Sequence, residues 1–136
     1  MKILNATPHV INIFRKEDVN YDEKLRKYFL INPEQKSYME IQPCGILLNV
    51  ETKLELKQVI NGIPIFEVIP VKIDKIPAKH DIVIVSNMYA NYALQFQIPN
   101  IEKLYTISQP VYISRENPRP IGCLGLNKVI SAHQEM

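Results

Sequence analysis

Short runs of apolar and β-branched residues, separated by turn residues, dominate the hydrophobic pattern of this chain. The runs at residues 2 to 4 and 10 to 14 predict two strands, and Pro8, which lacks an N–H, predicts a turn between them. Further runs flank Asn61-Gly62, a pair that tolerates positive φ and is typical of tight hairpins. Pro64 cannot donate a ladder hydrogen bond, so we expect it on an edge or at the start of the returning strand.

Two segments have the features of helices. Residues 20 to 30 place apolar side chains at i, i+4, i+7 and i+8, with Asn20 as a cap and a following Asn32-Pro33 stop, and they predict a short amphipathic helix. The near-continuous apolar run at residues 82 to 85 predicts a central strand. Ser86 and Asn87 follow it, and either is a good N-cap, so we expect a second helix there.

The last third of the chain repeats the strand-and-turn pattern. Residues 103 to 107, 109 to 114 and 121 to 126 predict strands, and residues 115 to 120 predict a polar turn. Residues 127 to 136 lack an apolar stripe, so we expect a flexible tail. The chain is therefore expected to form one domain over residues 1 to 136. Its predicted class is α+β, mostly β, built from short antiparallel strands and hairpins with one or two short helices.

Composition excludes several functional classes. A chain of 136 residues that is 46% hydrophobic can bury a core, and its net charge of +2 is dispersed rather than gathered into a basic stripe, so nucleic acid binding is not expected. No run approaches the roughly 18 apolar residues of a membrane span, and the N-terminus turns polar too early for a signal peptide, so we expect a cytoplasmic protein. Cys44 and Cys123 form no CxxC pair and are expected to be reduced thiols.

Catalytic and metal-binding signals are weak. The chain has three histidines, of which His133 lies in the expected tail and His80-Asp81 has no further histidine ligands nearby in sequence, so we expect no metal site and no cofactor. His9 lies in the turn before a strand, where Asn5 and Thr7 could orient its ring. A hydrolase with His9 as general base is thus one hypothesis, and a structural turn histidine is the alternative. The chain lacks GxSxG, Walker, GxGxxG and HExxH motifs.

Signals for ligand binding are more specific. A helix that begins at Ser86-Asn87 offers free backbone N–H groups and a positive dipole end to an anionic group. Tyr89 and Tyr92 could stack a ring, and Arg115 and Arg119 bracket a polar turn and could bind a phosphate or carboxylate. The alternative is that the tyrosines are core residues, Ser86 is only a cap and the arginines are solvated.

Three separated motifs, taken together, resemble a set of small proteins encoded by phages, prophages and bacteria. They are the Asn5 to His9 turn before an apolar strand, the Ile84-Val85-Ser86 helix start, and Arg115-Glu116 followed by Ile121-Gly122. The resemblance implies a shared site at Asn5, Thr7, His9, Ser86 and Arg115. It also implies an accessory role, of which one version is a protein that binds a nucleotide signal of host defence. No activity is implied.

Two classes of function therefore stand beside an enzymatic one. The first is a binder of a small anionic or nucleotide-like ligand, with Asn5, Thr7, His9, Ser86, Asn87, Tyr89, Arg115 and Arg119 as candidate contacts. The second is a structural or interaction protein that forms a homo-oligomer through exposed apolar residues such as Met39, Phe96 or Ile98. Strand-rich domains with many open edges often associate, so we expect a homo-oligomer.

Overall fold

A computed structural model describes residues 1 to 130 and has ten strands and one α-helix within them. The predicted class, α+β and mostly β in one domain, is confirmed. Single 3-10 turns lie at Lys16–Asp18 and Ile101–Lys103. The strands are β1 (Ile3–Asn5), β2 (Ile11–Ile13), β3 (Val19–Asp22), β4 (Lys27–Leu30), β5 (Met39–Ile41), β6 (Val50–Ile60), β7 (Ile63–Ile73), β8 (Ile82–Ile84), β9 (Leu104–Tyr112) and β10 (Gly122–Lys128), and the helix is α1 (Asn87–Phe96).

The main sheet is mixed rather than purely antiparallel. Its strand order is β1-β8-β9-β10-β2-β5, and β4 also pairs with the end of β9 and with β3. The pairs β1–β8, β8–β9, β2–β10 and β4–β9 are parallel, whereas β9–β10, β2–β5 and β3–β4 are antiparallel. Parallel neighbours need long crossovers, so this sheet joins segments that are far apart in the sequence.

The core lies on both faces of β8, which is an interior strand between β1 and β9 but lies next to the edge of the sheet rather than at its centre. Val83 packs on one face with Leu4, Leu104 and helix α1, and Ile84 packs on the other face with Cys123. Both β8 side chains are completely buried. Burial on both faces explains why the strand is a near-continuous apolar run and does not alternate.

The predicted helix at residues 20 to 30 is wrong: this segment is the β3–β4 hairpin. Val19 pairs with Leu30 and Tyr21 with Tyr28, whose ring centroids are 4.8 Å apart. Arg26 adopts a left-handed conformation with φ of 55° in the turn. The helical spacing of the apolar residues is real, but pairing of β4 with β9 provides a packing surface that an isolated helical turn does not have.

The predicted hairpin at Asn61-Gly62 is confirmed. Both turn residues have positive φ, 51° and 79°, and the two strands that they join are 11 residues long. β6 and β7 form a separate two-stranded sheet. Pro64 is the second residue of β7 and lies on an edge, as expected, because each strand of a two-stranded sheet is an edge.

The C-terminal third differs from the prediction in two respects. Residues 104 to 112 form one strand rather than two, because β10 pairs with them on both sides of Gln109. Gln109 itself has φ of 55°. The expected tail was placed too early, since β10 continues to Lys128 and the amide of Val129 donates to the carbonyl of Leu104 at 3.1 Å. The remainder of that tail, with His133, lies outside the described residues.

Three further observations bear on expectations from composition. Cys44 is exposed and Cys123 is buried, and the two are not bonded to each other. Burial raises the pKa of the Cys123 thiol. No helix within residues 1 to 130 has the length and apolarity that crossing a bilayer requires.

Candidate functional site

Asn5 organises the turn that follows β1. Its side chain is 1% exposed, and its Nδ2 donates to the carbonyls of His9 at 2.8 Å and Ile41 at 2.9 Å. Its Oδ1 accepts from the Thr7 hydroxyl at 2.6 Å and the Thr7 amide at 3.1 Å. All the polar capacity of a buried amide is thus used within the fold. Asn5 therefore shapes the site and is not among the residues that line it.

The second wall of the site is the start of helix α1. Ser86 is its N-cap, and the Ser86 Oγ accepts from the Tyr89 amide at 3.2 Å. The N–H of the first helical residue, Asn87, has no carbonyl to donate to within the helix. The start of a helix also carries a partial positive charge. This wall therefore presents hydrogen-bond donors and a favourable field for an anion.

The turn and the helix start line one pocket, which we call the turn–helix pocket. Its volume is about 450 Å³, within the range typical of small-molecule sites. His9, Ser86 and Asn87 are exposed at this pocket. The lining residues are Thr7, Pro8, His9, Val10, Ile11, Val85, Ser86, Asn87 and Ile107.

Four of the eight predicted site residues therefore meet: Thr7, His9, Ser86 and Asn87. They meet because β1 and β8 are parallel neighbours, with Asn5 opposite Ile84, so that the segments after both strands leave the sheet at the same edge. The Ala6 amide continues this pairing by donating to the Ile84 carbonyl at 2.9 Å.

A smaller cavity of about 180 Å³ adjoins the turn–helix pocket. The two share His9, Val10, Ile11 and Ile107, and the smaller one continues to the segment from Pro120 to Cys123. The Ile121-Gly122 motif thus lies along the same groove as the N-terminal turn.

Tyr89 is a core residue, which corrects its candidacy as a ligand contact. Its side chain is completely buried, and its hydroxyl donates to the Asp74 carbonyl. Burial, with a smaller contribution from the Asp74 carboxylate, raises the pKa of Tyr89 to about 12, so the phenol is neutral at physiological pH. Its ring is not available to stack on a ligand. Tyr92 is partly buried against the same core.

The two arginines do not line the turn–helix pocket. Arg115 is exposed, and its guanidinium donates to the Asp22 carboxylate at 2.7 Å. Hydrogen bonding from the Leu25 amide, together with the Arg115 charge, lowers the pKa of Asp22. Arg119 lies in the turn at residues 115 to 120, where its amide donates to the Asn117 side chain. Both arginine side chains are therefore exposed to solvent, which is the alternative to ligand binding given in the sequence analysis.

His80 and Asp81, the pair considered above as metal ligands, make contacts with two lysine residues. The Asp81 carboxylate accepts from the Lys2 amide at 2.7 Å, and this hydrogen bond lowers the pKa of Asp81. Lys103 donates to the His80 carbonyl at 2.9 Å. Within residues 1 to 130, no group of three His, Cys, Asp or Glu side chains is placed to hold a metal ion.

Sequence reasoning missed the apolar part of the pocket. Val10 and Ile107 are exposed at 39% and 41%, and Pro8 completes the same side. Ile107 belongs to β9 and reaches the pocket only through its position in the sheet, next to β10. No local signal in the sequence could have assigned it.

No protein-family model matches this chain, and neither does any curated protein or any solved structure. The resemblance to small phage and prophage proteins therefore remains an expectation from three motifs.

Proposed function

We propose that this protein binds a small molecule with an anionic group in the turn–helix pocket. The observation that supports the proposal is that Thr7 and His9 from one turn, and Ser86 and Asn87 from a helix start, line the same 450 Å³ cavity. An anionic head group fits against the Asn87 end of the helix, where the dipole and the free N–H groups favour it. The apolar part of such a ligand would lie against Pro8, Val10 and Ile107.

The chemistry of the lining narrows the class of ligand. No lysine or arginine is among the residues that line the pocket in the described part of the chain. A polyphosphate normally requires such cationic side chains, so a singly charged carboxylate or a phosphate monoester is the better match. A nucleotide signal of host defence remains a member of this class only if it carries few charges. An accessory role in a phage or prophage, which the resemblance implies, also stays a prediction.

The test uses Asn87→Asp, with Asn91→Asp as its matched control. An acidic residue in the first helical turn interacts favourably with the helix dipole, so the fold is expected to survive. Its negative charge repels an anion in the pocket. Asn91 is exposed on the same helix, one turn farther on, and does not line the pocket. We expect affinity to fall about tenfold in Asn87→Asp and to change by less than about twofold in Asn91→Asp, as measured by isothermal titration.

The probes are acetate, inorganic phosphate, adenosine monophosphate and 3′,5′-cyclic adenosine monophosphate. Binding of a phosphate monoester but not of acetate would define the head group. If none of the four binds, or if both variants lose affinity equally, the proposal is wrong. Native mass spectrometry of gently purified protein provides an independent measurement, because a retained ligand adds mass to the 15.8 kDa chain.

A hydrolase that uses His9 as general base has less support. A general base needs a nucleophile or a water that it can reach, and its ring is usually oriented by a third group. No described residue makes a hydrogen bond to the His9 ring, and the Ser86 hydroxyl is used as a helix cap.

Self-association is a second proposed function, and it rests on a different surface. Within the described residues, 22 large apolar side chains are exposed, and nine of them lie on the β6–β7 hairpin. Met39 and Phe96, two of the residues expected at an interface, are about half exposed, whereas Ile98 packs against the core. Sedimentation velocity tests the proposal: a mass of 15.8 kDa at every concentration would contradict it.

A further inference from the structure

The β6–β7 hairpin is an arm that extends from the body of the protein. We define the arm as residues 50 to 73. Each strand has 11 residues, which corresponds to a length of roughly 36 Å. Among the described strands, β6 and β7 pair only with each other. A two-stranded hairpin with no further packing is marginally stable in water. An arm of this length is therefore expected to pack against another protein surface.

One face of the arm is uncharged and is continuous with the core. Val50, at the root of β6, is buried, and its strand neighbour Ile73 packs against the same core cluster. Because side chains on a strand alternate between faces, Leu54 and Leu56 lie on the face of Val50. Yet Leu54 is 68% exposed and Leu56 is 55% exposed. We call this surface the apolar face; it comprises Leu54, Leu56, Val59, Pro64, Phe66 and Val68.

Cross-strand pairing holds the apolar face together. Leu54 lies opposite Val68, and Leu56 lies opposite Phe66. Phe66 is 56% exposed and Val68 is 51% exposed. An exposed apolar surface of this kind marks an interaction site more often than a free surface.

The opposite face of the arm is neutralised by its own charges. Glu55 lies directly across from Glu67, and the Lys57 ammonium contacts both carboxylates, at 3.1 and 3.3 Å. Lys57 can do so because it is the extra residue in a bulge between Leu56 and Gln58. Hydrogen bonding to these carboxylates raises the pKa of Lys57, and hydrogen bonding to Lys57 lowers the pKa of Glu55. The charged part of this face is suited to solvent, and Ile60, Ile63 and Ile65 are the exposed apolar residues nearer its tip.

The exposed area of the chain is large enough to leave room for an interface of dimer size. The chain exposes 9602 Å², whereas a compact monomer of its mass exposes roughly 7300 Å². The excess is on the order of 2000 Å². A stable interface buries about 800 Å² on each partner, so covering the apolar face would bring the exposed area toward the usual value.

We propose that a second copy of this chain covers the apolar face, with the two arms packed antiparallel about a two-fold axis. This inference rests on the proposed self-association and assigns its surface. The arm requires cover whenever the protein is folded, and another copy is the one partner that is always made in equal amount. An uncharged apolar face is also complementary to itself, as an isologous interface demands.

The root of the arm offers a place for the partner's tip. Two antiparallel arms of equal length bring Val59 and Pro64, near the tip of one arm and on its apolar face, beside the root of the other. At that root, a cavity of about 340 Å³ is lined in part by Ile73, Ile76 and Ile98. Phe96 borders a second, smaller hollow beside it.

The test compares two pairs of lysine substitutions on adjacent rungs of the arm. Leu56→Lys with Phe66→Lys places two charges on the apolar face. Gln58→Lys with Ile65→Lys is the control, because this neighbouring cross-strand pair lies on the opposite face and gains the same charge. Sedimentation equilibrium measures the dissociation constant of each variant and of the unmodified chain, and circular dichroism checks the fold.

We expect a dimer of the unmodified chain, weakened about 100-fold by the first pair and less than about fivefold by the control. A dimer that both pairs leave intact would overturn the arm interface while self-association stands. A monomer of the unmodified chain would overturn both proposals. An oligomer larger than a dimer, or equal weakening by both pairs, would overturn the two-fold arrangement.

Hydrogen exchange of the unmodified chain keeps the inference testable if the first pair does not fold. Packing of two arms stabilises each hairpin, so amides of residues 52 to 69 are expected to exchange more slowly as protein concentration rises. Exchange that is independent of concentration across the range in which the dimer forms would overturn the assignment of the arm.

Discussion

At the scale of single residues, Asn5 explains how a turn with few apolar contacts can define one wall of a pocket. One buried amide makes four hydrogen bonds, to Thr7, His9 and Ile41. They hold the turn in a single conformation and also attach it to β5. The side chains of Thr7 and His9 are thereby positioned without themselves being buried. This division of roles explains why a motif of small polar residues precedes an ordinary strand.

Replacement of Asn5 by Ala is expected to lower the free energy of unfolding by roughly 3 kcal/mol, because it removes four hydrogen bonds of a buried side chain. Of the groups involved, the Thr7 hydroxyl and the His9 carbonyl keep their hydrogen bond to each other. Urea denaturation measures this loss. Asn91→Ala, at an exposed helix position, is the control and should change the free energy of unfolding by less than about 0.5 kcal/mol. Similar small losses in both variants would mean that the turn holds its shape without Asn5.

At the scale of elements, the β3–β4 hairpin shows how tertiary pairing overrides a local pattern. Tyr21, Leu25, Tyr28 and Phe29 have helical spacing, but β4 forms a parallel pair with β9 at Tyr28 and Phe29. Leu25, which a helix would bury, is 44% exposed in the turn. By contrast, Asn61-Gly62 and Ser86 were predictable, because a tight turn and a helix cap depend on residues within a few positions of each other.

The hairpin can be distinguished from a helix by Arg26→Gly. Arg26 has φ of 55°, a conformation that glycine adopts without the cost of a Cβ, so the substitution is expected to stabilise the protein by about 0.5 to 1 kcal/mol. In a helix, the same substitution would destabilise by about 1 kcal/mol. Thermal unfolding gives the sign. Lys24→Gly, in the same turn but without positive φ, is the control and should not stabilise the protein.

At the scale of the whole molecule, the mixed sheet brings the groove together. The parallel pairing of β1 with β8 joins segments about 80 residues apart, and the pairing of β10 with β2 adds the segment at Ile121-Gly122. The second pairing requires close approach. A Cβ on Gly122 would lie 2.5 Å from the Asn12 carbonyl oxygen and 2.6 Å from the Phe14 ring.

Gly122→Ala is therefore expected to destabilise the protein by roughly 3 kcal/mol, because a backbone carbonyl cannot move aside as a flexible side chain can. Gly125→Ala is the matched control on the same strand, where a Cβ meets open space, and it should be close to neutral. Denaturant midpoints of the two variants measure the difference. Equal stability would show that β10 and β2 do not pack as closely as described.

By itself, the sequence determined the features that depend on neighbouring residues: the strand-rich class, the turn at Asn61-Gly62, the buried β8 and the helix that begins after Ser86. Tertiary structure alone decided which segments meet. It placed Thr7 and His9 beside Asn87, added Ile107 to the same pocket, and assigned Tyr89 to the core and Arg115 to an ion pair with Asp22. The reason is physical, since parallel pairing and burial are cooperative properties of distant segments, and no local pattern encodes them.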